Sequence, residues 1–116
     1  MIEIKPISVN ACWQGRRFAT KEFKRWQRFV IQQMQWRAKE SKCSLPVEWE
    51  KIHLHLKLYL KHPLKSDTDN YQKPIIDCLV KSGWIKDDRY IFRITTEKNQ
   101  LEKEGFDFNI KEFKEI

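Results

Sequence analysis

Cysteine is scarce in this chain and poorly placed for crosslinking. Cys12, Cys43 and Cys78 are odd in number, far apart, and form no Cys-x-x-Cys pair. That argues against both a disulfide framework and a zinc ribbon. His53, Cys43 and His62 match no zinc-ligand spacing either. No apolar run approaches the roughly 18–20 residues of a membrane-spanning helix. The opening MIEIKPISV lacks the layout of a secretory signal. A cytoplasmic protein without a membrane partner is expected. There is no internal repeat and no low-complexity segment.

Acid is the minority charge, with 16 Asp and Glu against 23 Lys and Arg, a net charge of +7. In a domain of this size such an excess points to a polyanionic partner, most often nucleic acid. The 116 residues suffice for one core and not two, so residues 1–116 are read as a single domain. Charged residues are 34% and hydrophobic ones 41%, a balance that favours a globular chain over a disordered one.

Hydrophobic periodicity sets out the elements. Residues 2–8 (IEIKPIS) alternate as a short strand does, with Pro6 suggesting an edge. VNACWQGRRFAT reads as a loop, and Thr20 is placed to cap a helix over 20–39. Phe23, Trp26, Val30 and Met34 recur there at spacings of three and four. In IHLHLKLYL, at 52–60, five apolar residues face one way while His53, His55, Lys57 and Tyr59 face the other. A half-solvated sheet surface accounts for the His-x-His pair without a metal. A second helix is expected over 74–82, since Pro74 fits a first helical turn and Gly83 a stop. YIFRITTEK and GFDFNIKEF complete the pattern as strands. The order β-α-β-α-β-β predicts an α+β fold, a small mixed β-sheet covered by two helices.

The stretch KSDTDNYQKP holds the chemistry. Asp67 and Asp69 stand one residue apart, and an extended backbone would put them on one side. Like charges that close persist when solvent, a proton, a cation or a metal compensates them. A helix over 74–82 is only about 14 Å long. An extended loop from Gly83 to Asp88 spans about 20 Å, so Asp88 can return to the same place. Three carboxylates together would suit Mg²⁺ or Mn²⁺. Such an ion activates water and stabilises charge on a phosphodiester. Lys73 would add a fixed cation, and Asn70 could orient a carboxylate or cap the helix. The same Asp-x-Asp pattern also occurs in capping loops, where Asp69 or Asn70 would satisfy backbone amides and the protein would be an inert DNA binder.

The whole block DTDNYQKPIIDCLVKSGWIKDD resembles the RusA family of Holliday junction resolvases. Asp67, Asp69, Asn70, Lys73, Asp77, Leu79, Gly83, Asp87 and Asp88 fit the family pattern without a gap. The resemblance implies a magnesium-dependent endodeoxyribonuclease, bacterial or phage-encoded, that acts as a homodimer in DNA recombination and repair. It would cut four-way junctions by paired symmetric nicks; another branched DNA is the alternative substrate. It further implies that Asp67, Asp69 and Asp88 bind the metal and that Lys73 is catalytic, with Asn70, Asp77 and Asp87 in support. Asp77 lies four residues after Lys73, within reach of an ion pair. The basic and aromatic loop at 9–20 is also similar to the family's N-terminal region. Arg16 and Arg17 are candidates for phosphate contacts, and Trp13 for stacking on a base or for burial. Nothing in the tail NIKEFKEI matches a motif.

Overall fold

The central strand, β3 (Ile52–Leu60), organises the molecule, which is described here by a computed structural model covering residues 1–14 and 18–115. Its strict alternation puts Ile52, Leu54, Leu56, Leu58 and Leu60 on one face, and all five are buried. Each fully buried leucine contributes about 1.5–3 kcal/mol relative to exposure. β4 (Ile91–Gln100) pairs with β3 in parallel, and β5 (Gly105–Glu112) pairs with it antiparallel, giving the order β4-β3-β5. Parallel neighbours need a crossover. Here the crossover carries α3 (Gln72–Lys81), and the candidate acids flank that helix in sequence.

Two helices cover the apolar side of the sheet. In α2 (Lys21–Ser41) the buried stripe is Phe23, Trp26, Val30, Met34 and Ala38. Thr20 caps its start, accepting a hydrogen bond from the Phe23 amide at 3.1 Å. Lys42 ends it at φ 53°, donating its N–H to the Ala38 and Lys39 carbonyls. In α3, Pro74, Ile75, Ile76, Cys78 and Leu79 are buried. Gly83, at φ +90°, then turns the chain where a side chain would be strained. The result is the α+β fold with a small mixed sheet that the periodicity predicts.

The structure corrects three local expectations. Residues 2–8 do not form a strand. Ile2 alone pairs, in a bridge with Phe106. Pro6 has no N–H to extend that bridge, and the Lys5 carbonyl is taken by Trp26 Nε1 at 2.9 Å. Residues 9–20 are not all loop: α1 (Val9–Cys12) makes one turn, and β1 (Trp13–Gln14) pairs with β2 (Phe18–Ala19). Finally, α3 starts at Gln72 rather than Pro74. Pro74 falls among the first-turn amides that lack an intrahelical acceptor, so the missing N–H costs the helix nothing.

Candidate active site

The acidic segment hangs from a turn that the sheet holds in place. A short 3₁₀ turn, Pro63–Lys65, follows β3. Lys98, on the inner face of β4 opposite Leu58, donates its ammonium to the Pro63 carbonyl at 2.7 Å and the Ser66 carbonyl at 2.9 Å. Tyr71, itself buried, donates its hydroxyl to Ser66 Oγ at 2.7 Å. On the other side of the acids, Gln72 Nε2 donates to Thr96 Oγ1 at 3.0 Å. Residues 66–72 are thus pinned at both ends to β4 or to each other.

Between those pins the backbone is not extended. Thr68–Tyr71 winds one 3₁₀ turn, with Asp67 extended just before it at φ −85°, ψ 148°. The period-two argument for Asp67 and Asp69 therefore does not apply. Both carboxylates are exposed, and among the described residues neither makes a hydrogen bond or ion pair. The capping role has no support in this geometry. Asp67 makes no capping bond to the 3₁₀ turn, and the residue before α3 is Tyr71, again without a side-chain cap. Asn70 likewise uses its backbone N–H, on the Asp67 carbonyl at 3.2 Å, rather than its side chain.

Lys73 is the hub of the site. Its Nζ stands 3.1 Å from Asp77 Oδ1, the i,i+4 pair that the spacing predicts, and 3.3 Å from Asp88 Oδ2. The loop after α3 therefore does fold back to the start of the helix. The hydrogen bond to Asp77, and in smaller measure the contact with Asp88, hold the Lys73 ammonium above the ordinary lysine range. Lys73 and Asp88 are 60% and 51% exposed, so solvent screens their pair and it is worth about 0–1 kcal/mol. Asp88 can exchange that partner for another cation at little cost.

The two neighbouring aspartates do different work. Asp87 caps the 3₁₀ turn Asp88–Tyr90 by accepting from the Arg89 amide at 3.1 Å. That amide first, and then Asp88, hold its carboxyl below the usual carboxylate range. Asp88 instead turns its carboxylate to Lys73.

The structure brings Lys73, Asp77 and Asp88 into contact. Asp67 and Asp69 approach along the chain, on the turn that leads into the same helix. Among the described residues no three His, Cys, Asp or Glu side chains lie close enough to hold one metal ion. The donors are nonetheless of one chemical kind, exposed carboxylate oxygens, the kind that suits a hard divalent cation.

The other candidate residues lie elsewhere. Trp13 is 48% exposed, with its ring 5.9 Å from that of Phe23, so it is neither buried nor free. Arg16 and Arg17 lie outside the described residues. The His-x-His pair is satisfied by the neighbouring strand: His53 meets Thr95 at 2.8 Å and His55 meets Glu97 at 3.1 Å. Neither buried thiol is a nucleophile, since desolvation pushes Cys12 up to about 11 and Cys78 up to about 12. Lys98, Thr96 and Gln72 escaped the sequence reading. A lysine on the apolar face of a strand was the available signal, because such a residue needs acceptors when it is covered.

Comparison with known proteins identifies the family. The family described as endodeoxyribonuclease RusA matches residues 6–110, which takes in every element from α1 to most of β5. A crossover junction endodeoxyribonuclease RusA of Aquifex aeolicus (strain VF5) is 30% identical over 100 residues, covering 85% of this chain and 75% of that protein. The chain belongs to the RusA family of endodeoxyribonucleases.

Proposed function

We propose that this protein resolves four-way DNA junctions by paired nicks, as a homodimer, with a divalent metal ion that would draw the carboxylates of Asp67, Asp69 and Asp88 together on binding. The observation that carries the reading is the division of labour around α3. Asp67 and Asp69 stand exposed, without a protein partner among the described residues, on a pinned turn. Lys73 meanwhile brings Asp88 back to the same helix end.

Mg²⁺, or Mn²⁺ in its place, would supply an activated water and neutralise charge on the phosphodiester. Lys73 offers a fixed ammonium for the negative charge that develops on the phosphate. Asp77 positions that ammonium, and Asp87 shapes the turn that presents Asp88. The net charge of +7 provides the attraction for a polyanion and makes binding depend steeply on salt. A homodimer follows from the chemistry of the product: two symmetric cuts are most simply made by two sites related by a two-fold axis. The relative from Aquifex is named for crossover junctions, which favours the four-way junction over other branched DNA. Recombination and repair, in a bacterium or a phage, is the matching setting.

The test is cleavage of a synthetic four-way junction beside linear duplex, in Mg²⁺ and in EDTA, by the wild type and Asp69→Asn. Paired nicks confined to the junction, dependent on metal and abolished in the variant while binding persists, are expected. Tight binding without cutting under any divalent metal would make the protein an inert DNA-binding module. Cutting of flaps or forks in preference to junctions would transfer the reading to another branched substrate.

A further inference from the structure

The most exposed large apolar side chain of the described residues is Leu64, at 97%. A solitary surface leucine needs no explanation by itself. This one differs in how it is held and what surrounds it. It sits at the middle of the Pro63–Lys65 turn, three residues before Asp67. Pro63 fixes one backbone angle, and the Lys65 amide closes the turn on the His62 carbonyl at 3.2 Å. Lys98 grips the carbonyls on either side of the leucine at 2.7 and 2.9 Å. Tyr71 anchors Ser66 behind it. A leucine on a floppy loop could fold down onto apolar surface; this turn holds it out.

Its surroundings are cationic. Lys61 precedes it and Lys65 follows, both exposed. Lys5 joins Lys61 and Lys65 on the wall of a cavity of about 290 Å³ beside the turn. Glu104 is the one acid of that wall, and it accepts from the Lys61 backbone amide at 3.2 Å. An apolar tip ringed by lysines fits a substrate that is anionic outside and apolar between its stacked rings. Nucleic acid has that profile, and apolar side chains that enter a base step unstack and kink it.

We propose that Leu64 is a wedge that enters a base step at the centre of branched DNA, with Lys61, Lys65 and Lys5 gripping the flanking phosphates and Lys98 positioning the turn. The proposal rests on the reading of branched DNA as substrate. The wedge and the acids share one pinned segment, so insertion fixes which phosphodiester faces Asp67 and Asp69. Leu64 thereby selects the cut site without touching the reacting atoms.

The experiment uses a four-way junction of synthetic oligonucleotides with 2-aminopurine at its centre, whose fluorescence rises when it is unstacked. Binding is followed in EDTA and nicking in Mg²⁺, for the wild type, Leu64→Ala and Leu64→Met. The wild type should raise the fluorescence several-fold. Leu64→Ala should lose that rise and at least about tenfold in nicking rate, with junction affinity changed by less than about threefold, because the phosphate contacts carry the affinity. Leu64→Met should restore both signals. Thermal unfolding of Leu64→Ala should match the wild type, since the side chain is exposed.

An unchanged fluorescence rise in Leu64→Ala overturns the wedge. So does a Leu64→Ala protein that sediments at half the wild-type mass, which would make Leu64 a subunit contact. Junction-confined nicking by a wild type that never raises the fluorescence sinks the wedge alone. A wild type that neither prefers nor nicks the junction removes the underlying reading as well.

Discussion

Lys73 Nζ lies 3.3 Å from Asp88 Oδ2 across fifteen residues of chain, while the same ammonium holds Asp77 at 3.1 Å. The two contacts have different functions. Asp77 is on the same helix and fixes the lysine; Asp88 is on the returning loop and is fixed by it. Replacing Asp77 by Asn should therefore cost little stability, under about 1 kcal/mol for an exposed helix pair. It should nonetheless slow nicking, by leaving Lys73 unsteered. Lys73→Arg should not rescue the wild type fully, because a planar guanidinium reaches its partners with different geometry from a point ammonium. Single-turnover nicking set beside denaturant unfolding of the same variants separates the two effects.

Asp67 and Asp69 invite a sharper comparison. Each lacks a protein partner among the described residues, so neutralising either removes no stabilising contact. Asp67→Asn and Asp69→Asn should unfold within about 0.5 kcal/mol of the wild type, as surface substitutions usually do. Both should lose nicking nearly completely while still binding junctions. A loss of about 1 kcal/mol in either variant would instead return the residue to a capping role.

Much of this fold is legible locally, and the illegible parts share a cause. β3 declares itself because period-two alternation runs its whole length, and α2 because its stripe runs from Phe23 to Ala38. Lys73–Asp77 follows from helical spacing alone. The N-terminal segment misleads because its fate depends on Trp26, 21 residues on from the carbonyl that it captures. The DTD segment misleads in a similar way. Its 3₁₀ turn is held by Thr96 and Lys98 of a strand that lies after α3, and no window around Asp67 contains them. Chain length permitted the return of Asp88, but only the packing of its turn against α3 decides which of the two adjacent aspartates faces Lys73.

That choice gives a prediction in pH. The Asp87 carboxyl titrates below its ordinary value of 3.8, chiefly because the Arg89 amide bonds its ionised form. A group whose folded value is depressed contributes stability that is present above the unfolded value and is lost as pH falls through the folded one. Wild type and Asp87→Ala should thus differ in melting temperature near neutrality, and the gap should close as pH drops below about 3.8. Melting curves from pH 7 down to strongly acid conditions, recorded for both proteins, decide it.

Lys98 supplies the last test, because it links the sheet to the acids without touching them. Its ammonium bonds two carbonyls, and bonds of a charged donor are worth about 1.5–3 kcal/mol each, less where solvent can replace them. Lys98→Met keeps the apolar stem that packs beside Leu58 and removes the charge. The variant should lose about 1–3 kcal/mol, since two carbonyls lose their partner. Its more specific effect should be local. With its grip gone, the 62–66 turn should exchange its amide hydrogens faster than β3, whose ladder to β4 and β5 is intact. Nicking should fall further than the stability loss explains, and cuts should spread to neighbouring phosphodiesters, because the turn no longer sets Asp67 and Asp69 in one register. If hydrogen exchange rises uniformly through the sheet instead, Lys98 is an ordinary structural lysine and the turn is held by Tyr71 and the sheet alone.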